Sequence, residues 1–71
     1  MDYYFITRKT PKGNEYLRIT DGGRHDWRPT STMASLLNKD KAFAKLLNLR
    51  TKGRKDCYYY VSYAYKVNHI F

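Results

Sequence analysis

Cys57-Tyr58-Tyr59-Tyr60-Val61-Ser62-Tyr63-Ala64-Tyr65-Lys66-Val67 is the stretch on which the fold turns. Aromatic and β-branched residues dominate it, and it alternates with period two, the pattern of a half-buried strand. Cys57, Tyr59, Val61, Tyr63, Tyr65 and Val67 form the set expected to face inward, and Tyr58, Tyr60, Ser62, Ala64 and Lys66 the outward set. A strand this long needs partners, and they have to come from the preceding residues.

Just upstream, Arg50-Thr51-Lys52-Gly53-Arg54-Lys55 places four cations in six residues around a glycine that stops a helix. The helical region opens at Arg28-Pro29-Thr30-Ser31, where Thr30 or Ser31 is the expected cap. At about 100° per residue, Met33, Leu36, Leu37, Phe43, Ala44 and Leu47 share an arc of roughly 120°, yet Asp40 lies near its centre. A lone buried carboxylate is costly, so the helical segment is expected to break near residue 39. Asn38 or Asp40 then caps a main helix whose inner face is Phe43, Leu46 and Leu47.

At the N-terminus, Tyr3 to Lys9 and Glu15 to Thr20 read as a hairpin closed by the five-residue loop Thr10-Pro11-Lys12-Gly13-Asn14. Leu17 and Ile19 mark the buried side of the second strand. Tyr3/Phe5 and Tyr4/Ile6 are equally apolar; taking Tyr3 and Phe5 as inward turns Tyr4, Ile6 and Arg8 outward. A fourth strand near residues 24 to 29 stays open. The expected fold is a single α+β domain over residues 1–71, a small antiparallel sheet in β-β-α-β order with one helical layer.

The chain has 71 residues, with 14 Lys+Arg against 6 Asp+Glu, a formal charge of +8. A domain of this size buries only about 60% of its unfolded surface, which leaves little room for an enclosed active site. One Cys, two His, one Glu and five Asp occur in no catalytic or metal-ligand spacing, so neither an enzyme nor a cofactor is expected. His25 reads as a solvated loop residue, Cys57 as a small core residue, and Trp27 as a lid over the helix or else part of an exposed interaction patch. A lone cysteine, no signal sequence and no apolar run of membrane length suggest a cytoplasmic protein.

What stands out is rings interleaved with cations. If the alternation holds, Tyr4, Arg8, Tyr16, Arg18, Tyr58, Tyr60 and Lys66 share one open sheet face, and Arg50, Lys52, Arg54 and Lys55 extend its edge. Flat rings stack on unpaired bases while Arg and Lys neutralise phosphates. The expected partner is therefore nucleic acid, single-stranded by preference and with little sequence selectivity. The alternative is an acidic protein surface gripped by the same patch. A homodimer through the last strand is a further expectation if that strand lies at the sheet edge.

The opening Tyr3-Tyr4-Phe5-Ile6-Thr7-Arg8-Lys9, the Pro-Lys-Gly-Asn turn and Tyr16-Leu17-Arg18-Ile19 resemble the N-terminal arm-binding domain of tyrosine recombinases from mobile elements. The resemblance implies a small sheet that enters the DNA major groove, with a helix packed after three strands. It covers about 20 residues and assigns no residue a role. In length, basicity and Tyr/Lys/Asn content the chain is also similar to accessory proteins of bacteriophages, which would make the alternative partner a host protein.

Overall fold

A computed structural model describes residues 1–66, with side chains through Tyr65; the expectations for Val67 and His69 lie outside the described residues. The strands are β1 (Asp2–Thr10), β2 (Gly13–Ile19), β3 (His25–Arg28) and β4 (Tyr58–Lys66), and the helix α1 spans Lys39–Lys52. All pairings are antiparallel and the sheet order is β3-β2-β1-β4. The α+β class and the single helical layer stand as read from the sequence. The strand left open near residues 24 to 29 is β3, so three strands precede the helix and a fourth follows it.

The turns explain these boundaries. The first hairpin loop is two residues and not five, because Thr10 pairs directly with Gly13. The Thr10 hydroxyl accepts from the Lys12 N–H at 3.1 Å and donates to the Gly13 carbonyl at 2.9 Å, closing the turn around Pro11. The second turn depends on Gly22 and Gly23, at φ 83° and 80°, which return the chain to Arg24 and let β3 form against β2.

Beyond the Thr7–Tyr16 pair, β1 and β2 part. Ser35 and Leu37 take the backbone positions that these strands would otherwise fill for each other. The Ser35 N–H donates to the Leu17 carbonyl at 2.9 Å, the Ile19 N–H donates to Ser35 Oγ at 2.7 Å, and Tyr4 and Leu37 exchange two bonds of 2.8 Å. This extended segment follows a single 3-10 turn at Ser31–Met33, whose cap position Thr30 makes no side-chain bond to the turn's backbone, its hydroxyl lying 3.0 Å from that of Thr32, and leads straight into the helix. Asn38 caps that helix, accepting from the Lys41 N–H at 2.8 Å, so the break near residue 39 is a capped helix start.

The core lies between the sheet and the helix: Ile6, Leu17 and Tyr59 from the strands against Ala42, Leu46 and Leu49. Two expectations are corrected here. Ile6 is fully buried, so Tyr4, Ile6 and Arg8 point toward the helix, while Tyr3, Phe5, Thr7 and Lys9 point away. Packing decides this: aliphatic Ile6 lies opposite Val61 beneath the leucines, while the Phe5 and Tyr3 rings find ring partners on the other face. On the helix, Ala42, Leu46 and Leu49 recur at i, i+4 and i+7 and form the buried stripe. Phe43 and Leu47 are 48% and 70% exposed; only Leu46 of the expected inner face is buried.

A third correction comes from a bulge. Between Tyr3 and Tyr4 the β1–β4 register shifts, so that Tyr4 faces Tyr63 and Tyr3 faces Tyr65 with Ala64 left over. Cys57, Tyr59 and Val61 face inward as read, but Tyr65 joins the face away from the helix.

Candidate nucleic-acid interface

The face away from the helix carries three pairs of rings. Tyr3 and Tyr65 lie 5.5 Å apart, Phe5 and Tyr16 5.9 Å, and Tyr58 and Tyr60 5.7 Å. Between the last two pairs lies Thr7, buried despite its open-face position, with its hydroxyl 3.2 Å from that of Ser62. Strand alternation adds Lys9 on β1, exposed Arg18 on β2 and Arg28 on β3. Asp26 opposes Arg18 in the register and lies 3.6 Å from the Arg28 guanidinium, so one carboxylate partly offsets the charge of two cations.

Of the residues expected here, the fold brings Tyr16, Arg18, Tyr58 and Tyr60 together. Tyr4 and Arg8 are on the opposite face. Arg8 is built into the structure there: its guanidinium sits 4.2 Å from the Trp27 ring centre and donates to Glu15 Oε1 at 2.7 and 3.0 Å, with 13% of the side chain exposed. Trp27 in turn packs 5.8 Å from Tyr59, at the margin of the core, where a lid was expected. Lys66 ends β4 opposite Asp2, and its side chain lies outside the described residues. Tyr3, Phe5, Lys9, Arg28 and Tyr65 were missed. The signal that finds the first three is Ile6, the sole aliphatic residue in the aromatic start of β1, which belongs under the helix.

The basic stretch from the last turn of the helix onward forms a rim, not a single charged edge. Arg50 donates to the Tyr59 carbonyl at 3.1 and 2.9 Å and lies 5.4 Å over the Tyr58 ring, joining the rim to the open face. Arg54 grips Asp56 through bonds of 3.0 and 2.6 Å. Donation from Arg54 holds the Asp56 carboxyl below the usual carboxylate range. Lys52 and Lys55 are exposed.

The other titratable side chains have structural surroundings. Burial pushes the Cys57 thiol up, helped by its bond to Asp56, which disfavours the nucleophilic thiolate. His25 opens β3, where a loop was expected, and its Nε2 lies 3.1 Å from Lys45 Nζ. Burial first and the Lys45 charge second push its pKa down. Among the described residues, no group of three or more His, Cys, Asp or Glu is placed to hold a metal ion, and no helix is long and apolar enough to cross a membrane.

Fold and site together define a four-stranded antiparallel sheet with one face sealed by a helix and the other presenting rings and cations. No family model, curated protein or solved structure matches the chain.

Proposed function

We propose that the open sheet face binds single-stranded nucleic acid with little sequence preference, as a cytoplasmic binding protein without catalytic activity. The observation that carries this reading is the Tyr58–Tyr60 ring pair, 5.7 Å apart, with the Arg50 guanidinium over Tyr58 and Tyr58 itself 60% exposed. Any base has a π-face to lay on such rings, so stacking tolerates sequence. Lys9, Arg18 and Arg28 supply the phosphate contacts around them.

Fluorescence anisotropy with labelled oligonucleotides tests the reading. Tyr58→Ala with Tyr60→Ala removes two platforms, each worth about 1–3 kcal/mol per base, so single-strand affinity falls at least tenfold while duplex affinity changes little. Binding no tighter than about 0.1 mM at low salt, weaker than even non-specific binding usually is at physiological salt, overturns the proposal. Equal losses for single strands and duplex overturn its stacking component.

A further inference from the structure

Among the described residues, the outer edge of β4 is the long free edge of the sheet, nine residues against four in β3. The Tyr59 carbonyl points out from this edge, since Arg50 reaches it from the helix. Antiparallel ladders alternate, so the backbone groups of Val61 and Tyr63 face outward too. No hydrogen bond to them occurs among the described residues. Above the edge, Phe43, Leu47 and Arg50 recur at i, i+4 and i+7, and Arg50 fixes that stripe on the β4 side of the helix. Two large apolar side chains thus overhang a strand edge with its hydrogen-bonding groups open, the arrangement that soluble proteins avoid leaving bare.

We propose that the chain forms a two-fold dimer in which β4 pairs antiparallel with β4 of a second copy, Val61 opposite Tyr63 of the partner. Charge points to a second copy as the occupant. In a protein of net charge +8, Lys41, Lys45 and Lys52 lie on the helix flank away from β4; of the two cations on the β4 flank, Arg50 is held by a backbone carbonyl and Lys39, at the helix start, has the carboxylates of Asp2 and Asp40 beside it. That flank is where a like-charged copy can approach.

Spacing points the same way. The helix packs over β1 and β4 alike, through Ile6 and Tyr59. Adding one strand spacing of about 4.8 Å between the two β4 strands brings the helices to about 10 Å apart. That is the interaxial distance of packed helices, so the Phe43–Leu47 stripes meet across the axis. Arg50 at Tyr59 ends the usable edge, which centres the pairing on Ser62. A two-fold axis perpendicular to the sheet keeps both open faces on one side.

Sedimentation equilibrium over increasing protein concentration tests this. The wild-type chain is expected to reach twice the 8.5 kDa of one chain, with association strengthening as salt screens the like charges. Nucleic-acid binding has the opposite salt dependence, so failure of one reading is distinguishable from failure of the other. Leu47→Glu and, separately, Tyr63→Lys are each expected to weaken the dimer at least tenfold. Leu47 is exposed, so for Leu47→Glu circular dichroism and the melting midpoint at monomeric concentrations stay unchanged; Tyr63→Lys also loses the ring contact with Tyr4 and the bond to Asp2, so its midpoint drops modestly while circular dichroism stays that of the folded chain. A wild-type chain that remains single at the highest concentration, or a dimer that survives both substitutions, overturns the proposal. So does a dimer lost on Tyr58→Ala, which would place the contact on the open face.

Discussion

Replacing Arg8 with Ala and Arg18 with Ala separates the two faces of the sheet. Both are arginines on adjacent strands, and a count of charges treats them alike. Arg8, however, stacks at 4.2 Å on Trp27 and donates twice to Glu15. Stacking of a largely desolvated cation contributes roughly 1–2 kcal/mol. A hydrogen bond to a charged group adds about 1.5 kcal/mol at the lower end, the end that applies because the Glu15 side chain is 36% exposed and can be rehydrated. Arg8→Ala should therefore cost about 2.5–3.5 kcal/mol. In a domain of this size each kcal/mol moves the midpoint by about 4–8 °C, so the melting temperature drops roughly 10–28 °C.

Arg18 is exposed and no ion pair of its own holds it among the described residues, so Arg18→Ala should stay within about 0.5 kcal/mol in stability. Its effect appears in oligonucleotide binding, where losing one phosphate contact flattens the log-log salt slope by about 0.7. Thermal melts and salt titrations on both variants, with binding read well below the Arg8→Ala midpoint, give the comparison. If Arg8→Ala weakens binding as Arg18→Ala does and leaves the midpoint in place, the assignment of β1 to its two faces is wrong.

Two further predictions probe the frame. A Cβ at Gly53 would press on the Leu49 carbonyl and come within 2.7 Å of Tyr59 Oη and 2.9 Å of Tyr59 Cζ, and that buried ring is pinned by the Arg54 N–H at 2.9 Å. At φ −80° the backbone itself accepts any residue. The cost of Gly53→Ala is thus steric, about 1–3 kcal/mol, and an unchanged melting midpoint would refute it. His25 has its pKa pushed down in the folded protein, so the unfolded chain takes up the proton more readily as pH falls below about 6.5. Stability attributable to His25 is present above that pH and is lost as pH falls toward the folded value. His25→Gln, which keeps an acceptor for Lys45, should shrink the difference in melting midpoint between pH 7.5 and pH 5.5, and an undiminished difference would locate the pH dependence elsewhere.

The parts of this structure legible in the sequence are those where one physical requirement dominated. Asp40 could not be buried alone, and so the helix start at Asn38 was readable. Period two over residues 57 to 63 placed Tyr59 and Val61 correctly, because Cys57 and Val61, the two non-tyrosine apolar residues there, share one parity with Tyr59 while Ser62 falls on the other. β1 offered no such contrast: Tyr3, Tyr4, Phe5 and Ile6 are all apolar, and only the cross-strand partners Val61 and Tyr65 choose between the two faces. One inverted strand carried Tyr4 and Arg8 out of the site and left Tyr3, Phe5 and Lys9 unnoticed. The bulge at Ala64 reversed the alternation locally, and nothing in Tyr63-Ala64-Tyr65 distinguishes a bulge from a regular strand. On the helix, periodicity gave an arc but not its phase. Ala42 sets the phase, because its small side chain allows close approach of helix and sheet.

The positive charge divides in a way composition hides. Arg8 serves Trp27 and Glu15, Arg50 a strand carbonyl, Arg54 its neighbour Asp56, and Lys45 the His25 ring. Lys41 and Lys52 lie on the helix flank, with the sheet between them and the open face. A net charge of +8 acts at long range to raise the encounter rate with any polyanion, but a bound strand meets chiefly Lys9, Arg18 and Arg28. Three phosphate contacts at about 0.7 each give a log-log salt slope near −2 for single strands. A slope of about −5 or steeper would require the helix-flank lysines as well, and with them a ligand that wraps both sides of the molecule instead of lying on one.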